Sequence, residues 1–116
     1  MNVVVFAASR SPVQVDVNLA YDLGRQLALS GHRVINGGGP GLMDQTLQGA
    51  KSAGGETYGI RLEKQGRVHS ECADQIEVFH GLWERQKRLI SMGDAYIALP
   101  GGIGDACLEL RQPIDQ

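Results

Sequence analysis

"HRVINGGGPGLMDQTLQGA", residues His32 to Ala50, joins an apolar run to a helical repeat through a turn with four glycines in five positions. His32–Asn36 reads as a strand. Leu42, Met43, Leu47 and Ala50 then recur at helical spacing until Gly54 and Gly55. A strand that passes directly into a helix is the unit of a parallel α/β sheet. Glycine at the junction lets the backbone turn tightly and approach a ligand with no Cβ in the way. The first N–H groups of the helix, aided by its dipole, then face an anion. The spacing is neither the dinucleotide GxGxxG nor a Walker A, since no GK[ST] follows. Taken alone, such a turn fits a tight connection without a ligand as well as it fits a phosphate cradle.

Outward from this unit the same alternation continues. "NVVVFAA" (Asn2–Ala8) is β-branched without alternation, as in a strand buried on both faces. After a break at Ser9–Pro12, Leu19, Leu23 and Leu27 with Ala20 give a helix with one apolar stripe, ended near Gly31. Glu56–Leu62 is a third strand, Glu63–Asp74 a polar loop and Gln75–Phe79 a short fourth strand. Leu82–Met92 is a charge-rich helix, Ala95–Leu99 another buried strand, and a last helix starts near Gly104 or Asp105 and stops before Pro113. The chain of 116 residues is enough for one domain, spanning 1–116, and too short for two. The expected architecture is Rossmann-like: a parallel sheet with helices on both faces, shortened at the C-terminus, so that an open edge or apolar face awaits cover.

Composition removes several function classes. The formal charge of -2 gives no electrostatic footprint for nucleic acid. No apolar stretch approaches a membrane span, and the N-terminus lacks the basic head of a signal peptide, so a cytoplasmic protein is expected. Cys72 and Cys107 are in neither a CxxC nor a metal spacing, which suits reduced thiols. Histidines 32, 69 and 80 are scattered, so neither metal nor cofactor is expected. Cys107 reads as a core residue. Trp83 fits a subunit contact better than base stacking. Leu82, Trp83, Leu89 and Ile90 call for cover from a second copy, hence a homodimer. Glycine is the one excess: its 16 copies are about twice the usual ~7%, and they gather at the ends of apolar runs.

A second glycine turn, "LPGGIG" (Leu99–Gly104), follows the Ala95–Leu99 strand. In a parallel sheet both turns lie on the edge formed by the strand C-termini, where ligand crevices form. "AASRS" (Ala7–Ser11) adds hydroxyls and a guanidinium there. Three such loops favour phosphate or nucleotide binding. The candidate binding residues are Ser9, Gly37, Gly38, Gly39, Pro40, Gly41, Leu42 and Met43, with Pro100, Gly101, Gly102, Ile103, Gly104 and Asp105. The anion is expected against the amides of Gly38–Gly41 and Gly101–Gly104.

"GGGPGLM…GA" (Gly37–Met43, Gly49–Ala50) together with "LPGGIG" resembles the paired signature of the LONELY GUY (LOG) family. The resemblance covers Asn2 to about Leu110. It implies a Rossmann-like dimer that binds a nucleoside 5'-monophosphate such as AMP and hydrolyses its N-glycosidic bond, releasing the base and ribose 5-phosphate. Members were long called lysine decarboxylase-like. "LWERQKRL" is similar to the family's M-x-x-R-K segment, which puts the family's catalytic arginine at Arg85, with Gln86 in place of lysine. Without the resemblance, Arg85 would read as a solvated helix charge. The pattern PGGxGTxxE calls for Thr where Asp105 stands and Glu where Leu108 stands. Glu109 is the nearest carboxylate, one residue late and so turned by about 100° on a helix. Arg85 and Glu109 are the candidate catalytic pair, with binding expected to survive and hydrolysis to be weak. The alternative is a protein of the same fold that holds a nucleotide or phosphorylated cofactor without turnover.

Overall fold

A computed structural model describes residues 1–7, 14–63 and 68–99. Five strands and three helices follow one another along these residues, alternating except between β3 and β4: β1 (Asn2–Phe6), α1 (Gln14–Leu29), β2 (Arg33–Asn36), α2 (Leu42–Ser52), β3 (Thr57–Leu62), β4 (Gln75–Phe79), α3 (Leu82–Met92) and β5 (Ala95–Ala98). All strand pairs are parallel, in the order β4-β3-β2-β1-β5. The chain therefore builds outward from β1 through β4 and returns to pair β5 with the free side of β1. That reversal is the topological switch point at which α/β sheets bind ligands, outside the strand C-termini.

β1 shows why its run does not alternate. Val3 and Val5 pack under α1 and α2 with Val34, Leu42 and Leu47, while Val4 faces α3 with Ile35, Ile60 and Leu89. Both faces of the central strands are thus dry, and each buried aliphatic side chain contributes about 1.5–3 kcal/mol. α1 and α2 lie on one face with their backbones in contact. A Cβ on Gly24 would stand 1.9 Å from the Thr46 carbonyl oxygen, and one on Gly49 1.9 Å from that of Tyr21. α3 covers the other face.

The expected architecture stands, with local corrections. Leu19 is 49% exposed; the face of α1 that meets α2 is centred on Ala20 and Gly24, with Leu23 and Leu27 beside them. β5 is not a doubly buried strand. It pairs only with β1 among the described residues, and Tyr96 is 48% exposed. Its apolar sequence reflects one covered face, where Ala95 and Ile97 pack. Leu89 needs no second copy, being buried against Val4 and Ile60 within the chain. The expected final helix lies outside the described residues.

Candidate functional site

The glycine turn leaves β2 on the edge where the strands end. Its conformation is set from below by Asn36, the last residue of β2, which is 1% exposed. Asn36 Oδ1 accepts from the Gly38 N–H at 2.8 Å, and its Nδ2 donates to the Met43 carbonyl oxygen at 3.0 Å. Gly38 (φ +65°) and Gly41 (φ +71°) have left-handed backbone angles, which an L side chain adopts only with strain. Gly41 caps α2 with no side-chain hydrogen bond, so the first-turn amides of this helix meet no side-chain cap. Because Gly38 already donates to Asn36, and Pro40 has no N–H, an anion here would meet the amides of Gly39, Gly41 and the α2 start. That is a narrower set than the sequence suggested.

Arg85 reaches the turn from the opposite face. It sits on the first turn of α3, a helix with a marked apolar side, yet is only 4% exposed. Burial rules out the solvated reading. Its Nε donates to the Ile60 carbonyl oxygen at 2.9 Å and its Nη1 reaches Gln86 Oε1 at 3.4 Å. These two bonds, to a carbonyl and an amide oxygen, help fix the direction of the guanidinium. The head group comes to rest on Gly37: a Cβ there would stand 1.9 Å from Arg85 Nη2. Gly37 is therefore the residue that admits the cation to the turn. Gln86, in the place of the family's lysine, is 1% exposed and an inward-facing partner of Arg85.

Two residues went unremarked in the sequence. Arg61 on β3 lies across Gly38, its Cγ 3.4 Å from where a Cβ would stand. Its Nη2 donates to the Ser70 carbonyl oxygen at 2.8 Å, and its buried Nε has no hydrogen-bond partner among the described residues. Ser70, 2% exposed, closes the outer side. Its N–H donates to the Gly38 carbonyl oxygen at 2.8 Å and its Oγ to Asp44 Oδ1 at 2.6 Å. The signal for Arg61 was a charge within an otherwise apolar strand, "YGIRL". Ser70 carried none, since it sits in a polar loop.

Of the other candidates, Leu42 and Met43 are buried at the start of α2, and His80 is exposed. Leu99, 5% exposed, donates to the Phe6 carbonyl oxygen at 2.9 Å, so the chain enters the second glycine turn beside β1. Strands β2, β1 and β5 are neighbours, so the three loops that follow them start from one edge. Ser9, Pro100–Asp105, Cys107, Leu108 and Glu109 lie outside the described residues.

The SLOG cluster4 family model matches residues 1–111. The chain belongs to that family. Similar curated relatives include a cytokinin riboside 5'-monophosphate phosphoribohydrolase of Rhodococcoides fascians, 34% identical over 76% of this chain and 46% of that protein. One of the same name from Mycobacterium tuberculosis is 31% identical over 88% of this chain and 56% of that protein. The chain thus spans about half the length of the curated relatives it matches. Among solved structures, the structural-genomics target TM1055 superposes with a TM-score of 0.80 at 28% identity, covering 94% of this chain and 67% of that one. A molybdenum cofactor binding protein from Rippkaea orientalis gives 0.77 at 26%, covering 97% and 71%. The SLOG assignment agrees with the LOG resemblance of the two glycine motifs.

Proposed function

We propose that this chain binds a nucleoside 5'-monophosphate such as AMP at the glycine turn and supplies the nucleotide site of a LOG-type phosphoribohydrolase. The observation that carries this reading is the buried Arg85 guanidinium seated on Gly37. A guanidinium at the turn that leads into uncapped helix amides supports a phosphate ligand, since a phosphate accepts from both kinds of donor. Ser9, Pro100–Gly104 and Asp105 are assigned to the same ligand from the sequence, because their loops follow β1 and β5 on either side of the switch point.

Hydrolysis adds water to the anomeric carbon of the ribose and breaks the bond to the base. The base leaves with a proton, and ribose 5-phosphate remains. Positive charge develops on the sugar ring, so a carboxylate aimed at it stabilises the transition state and directs the water. Leu108 stands where the family pattern has that carboxylate, and Asp105 sets a negative charge where the pattern has a hydroxyl. Binding, which needs the amides and Arg85, is retained; turnover is slow. The exposed Trp83 and Ile90 on α3 support a homodimer through that helix. No helix among the described residues is long and apolar enough to cross a membrane, which is compatible with a cytoplasmic site of action.

A second reading, a carrier of a phosphorylated cofactor without turnover, draws on the name of the Rippkaea orientalis neighbour and the same cradle. Adenine release from AMP separates the two. Slow release is expected from the native chain, with a clear rise on Leu108→Glu combined with Asp105→Thr. Arg85→Ala should weaken AMP binding by about a hundredfold. A carrier releases no adenine in either form. Unchanged AMP affinity in Arg85→Ala contradicts the site itself. Brisk native release abolished by Glu109→Ala would instead make Glu109 the working carboxylate.

A further inference from the structure

The Asn36 side chain is as buried as any polar group at the candidate site, at 1% exposed like Gln86, and the phosphate reading gives it no contact with the ligand. Its two bonds run to different parts of the turn. Oδ1 takes the N–H of Gly38, two residues on, and Nδ2 gives to the carbonyl oxygen of Met43 inside the first turn of α2. One planar amide thus fixes both the left-handed Gly38 and the helix that follows.

We propose that Asn36 is the positioning residue of the anion site. It removes the Gly38 N–H from the donors offered to a ligand and, in doing so, sets the direction in which the amides of Gly39, Gly41 and α2 face. The inner bond of Asn36 is matched outside the turn by Ser70, whose N–H holds the Gly38 carbonyl oxygen. Gly38 is therefore gripped at both polar atoms, on opposite sides of one peptide-linked residue. Such a double grip leaves the turn little freedom, and an anion then meets donors that need no rearrangement. Pre-set donors bind more tightly because ordering them costs nothing at the moment of binding. Asn36 does not touch the ligand and acts only through the turn.

The inference rests on the phosphate-site reading, and its test keeps the two apart. Asn36→Ser and Asn36→Cys are close in size, and both lose the bond to Met43. The serine hydroxyl still accepts from the Gly38 N–H in a short side-chain turn, whereas sulfur accepts weakly. Amide hydrogen exchange at Gly38 and AMP titration are measured on both. The expected result is Gly38 protection kept in the serine variant and lost in the cysteine variant. AMP affinity falls about tenfold further in the cysteine variant than in the serine one. Equal affinities in the two variants, or equal Gly38 protection, overturn the proposal, because a merely space-filling Asn36 would not distinguish them. If the native chain binds neither AMP nor inorganic phosphate, the phosphate reading fails, and Gly38 exchange alone decides the role of Asn36. Should neither variant fold, Asn36→Asp, of the same size and still an acceptor, must keep Gly38 protected; loss of protection there overturns it as well.

Discussion

Glycines 24 and 49 on one face of the sheet and Gly37 at its edge leave the same gap, about one Cβ wide, but fill it differently. At Gly24 and Gly49 the space is taken by a carbonyl oxygen of the facing helix, 1.9 Å from the missing Cβ in each case. At Gly37 it is taken, at the same distance, by the tip of the Arg85 side chain. Backbone in a packed helix pair cannot move without moving the helix. A guanidinium can swing aside by rotating its own torsions. The first use of glycine lets two helices pack, and the second admits a buried cation to the turn. Sequence alone shows both as the same letter.

The largest effect is expected where backbone fills the gap. Gly49→Ala, or Gly24→Ala, must part α1 and α2, and overpacking of this kind costs about 1–3 kcal/mol or more. Chemical denaturation should show that loss with the AMP affinity of the remaining folded protein little changed. Gly37→Ala comes next. It displaces Arg85 Nη2 and Met43 Sδ, both ends of flexible chains, so the stability loss measured in the same way should stay at about 1 kcal/mol. A Gly37→Ala loss equal to that of Gly49→Ala would erase the distinction.

The smallest effect belongs to the surface clasp that holds α3 to β4. Arg88 Nε and Nη2 donate to Glu77 at 3.0–3.1 Å, and Tyr58 Oη also donates to that carboxylate. The hydrogen bond from Arg88 pulls the Glu77 carboxyl below its ordinary value, against an opposing push from burial, and the hydrogen bond to Glu77 raises the Tyr58 hydroxyl. With the folded value depressed, the contribution is present above the ordinary carboxylate range near ~4.3 and fades as pH falls through the folded value. Arg88→Ala should therefore lower the melting temperature slightly at neutral pH, by the equivalent of about 0.2–1 kcal/mol. The gap from the native chain should close on acidification below that range. A gap that persists at the acid end would place the effect in packing instead.

How much of this was legible in the sequence follows from what each pattern encodes. The bounds of β4 and α3 follow directly from the sequence, because Gln75–Phe79 is bracketed by polar breaks and Leu82–Met92 is amphipathic between two glycines. β5 is less buried than its sequence suggests, since "AYIAL" records only that the residues are apolar, not that the strand has one neighbour among the described residues. The same limit applies to Leu19, apolar and exposed. At the site, the glycine turn was legible and its wiring was not. Arg85 needed the fold to show that its helix turns it inward. Arg61 and Ser70 act through contacts across 9 to 32 residues of chain, and Asn36 adds to its local bond with Gly38 one to Met43, seven residues on, which no local spacing reports.

If Gly37 is glycine so that Arg85 can reach a bound phosphate, a Cβ at that position must weaken binding, because it would stand 1.9 Å from Arg85 Nη2. Calorimetric titration of AMP into the native chain and into Gly37→Ala, at a temperature where both are folded, tests it most directly. The expected affinity is at least about tenfold weaker in Gly37→Ala, the loss of one well-placed charge-assisted contact. Equal affinities in the two proteins would contradict it.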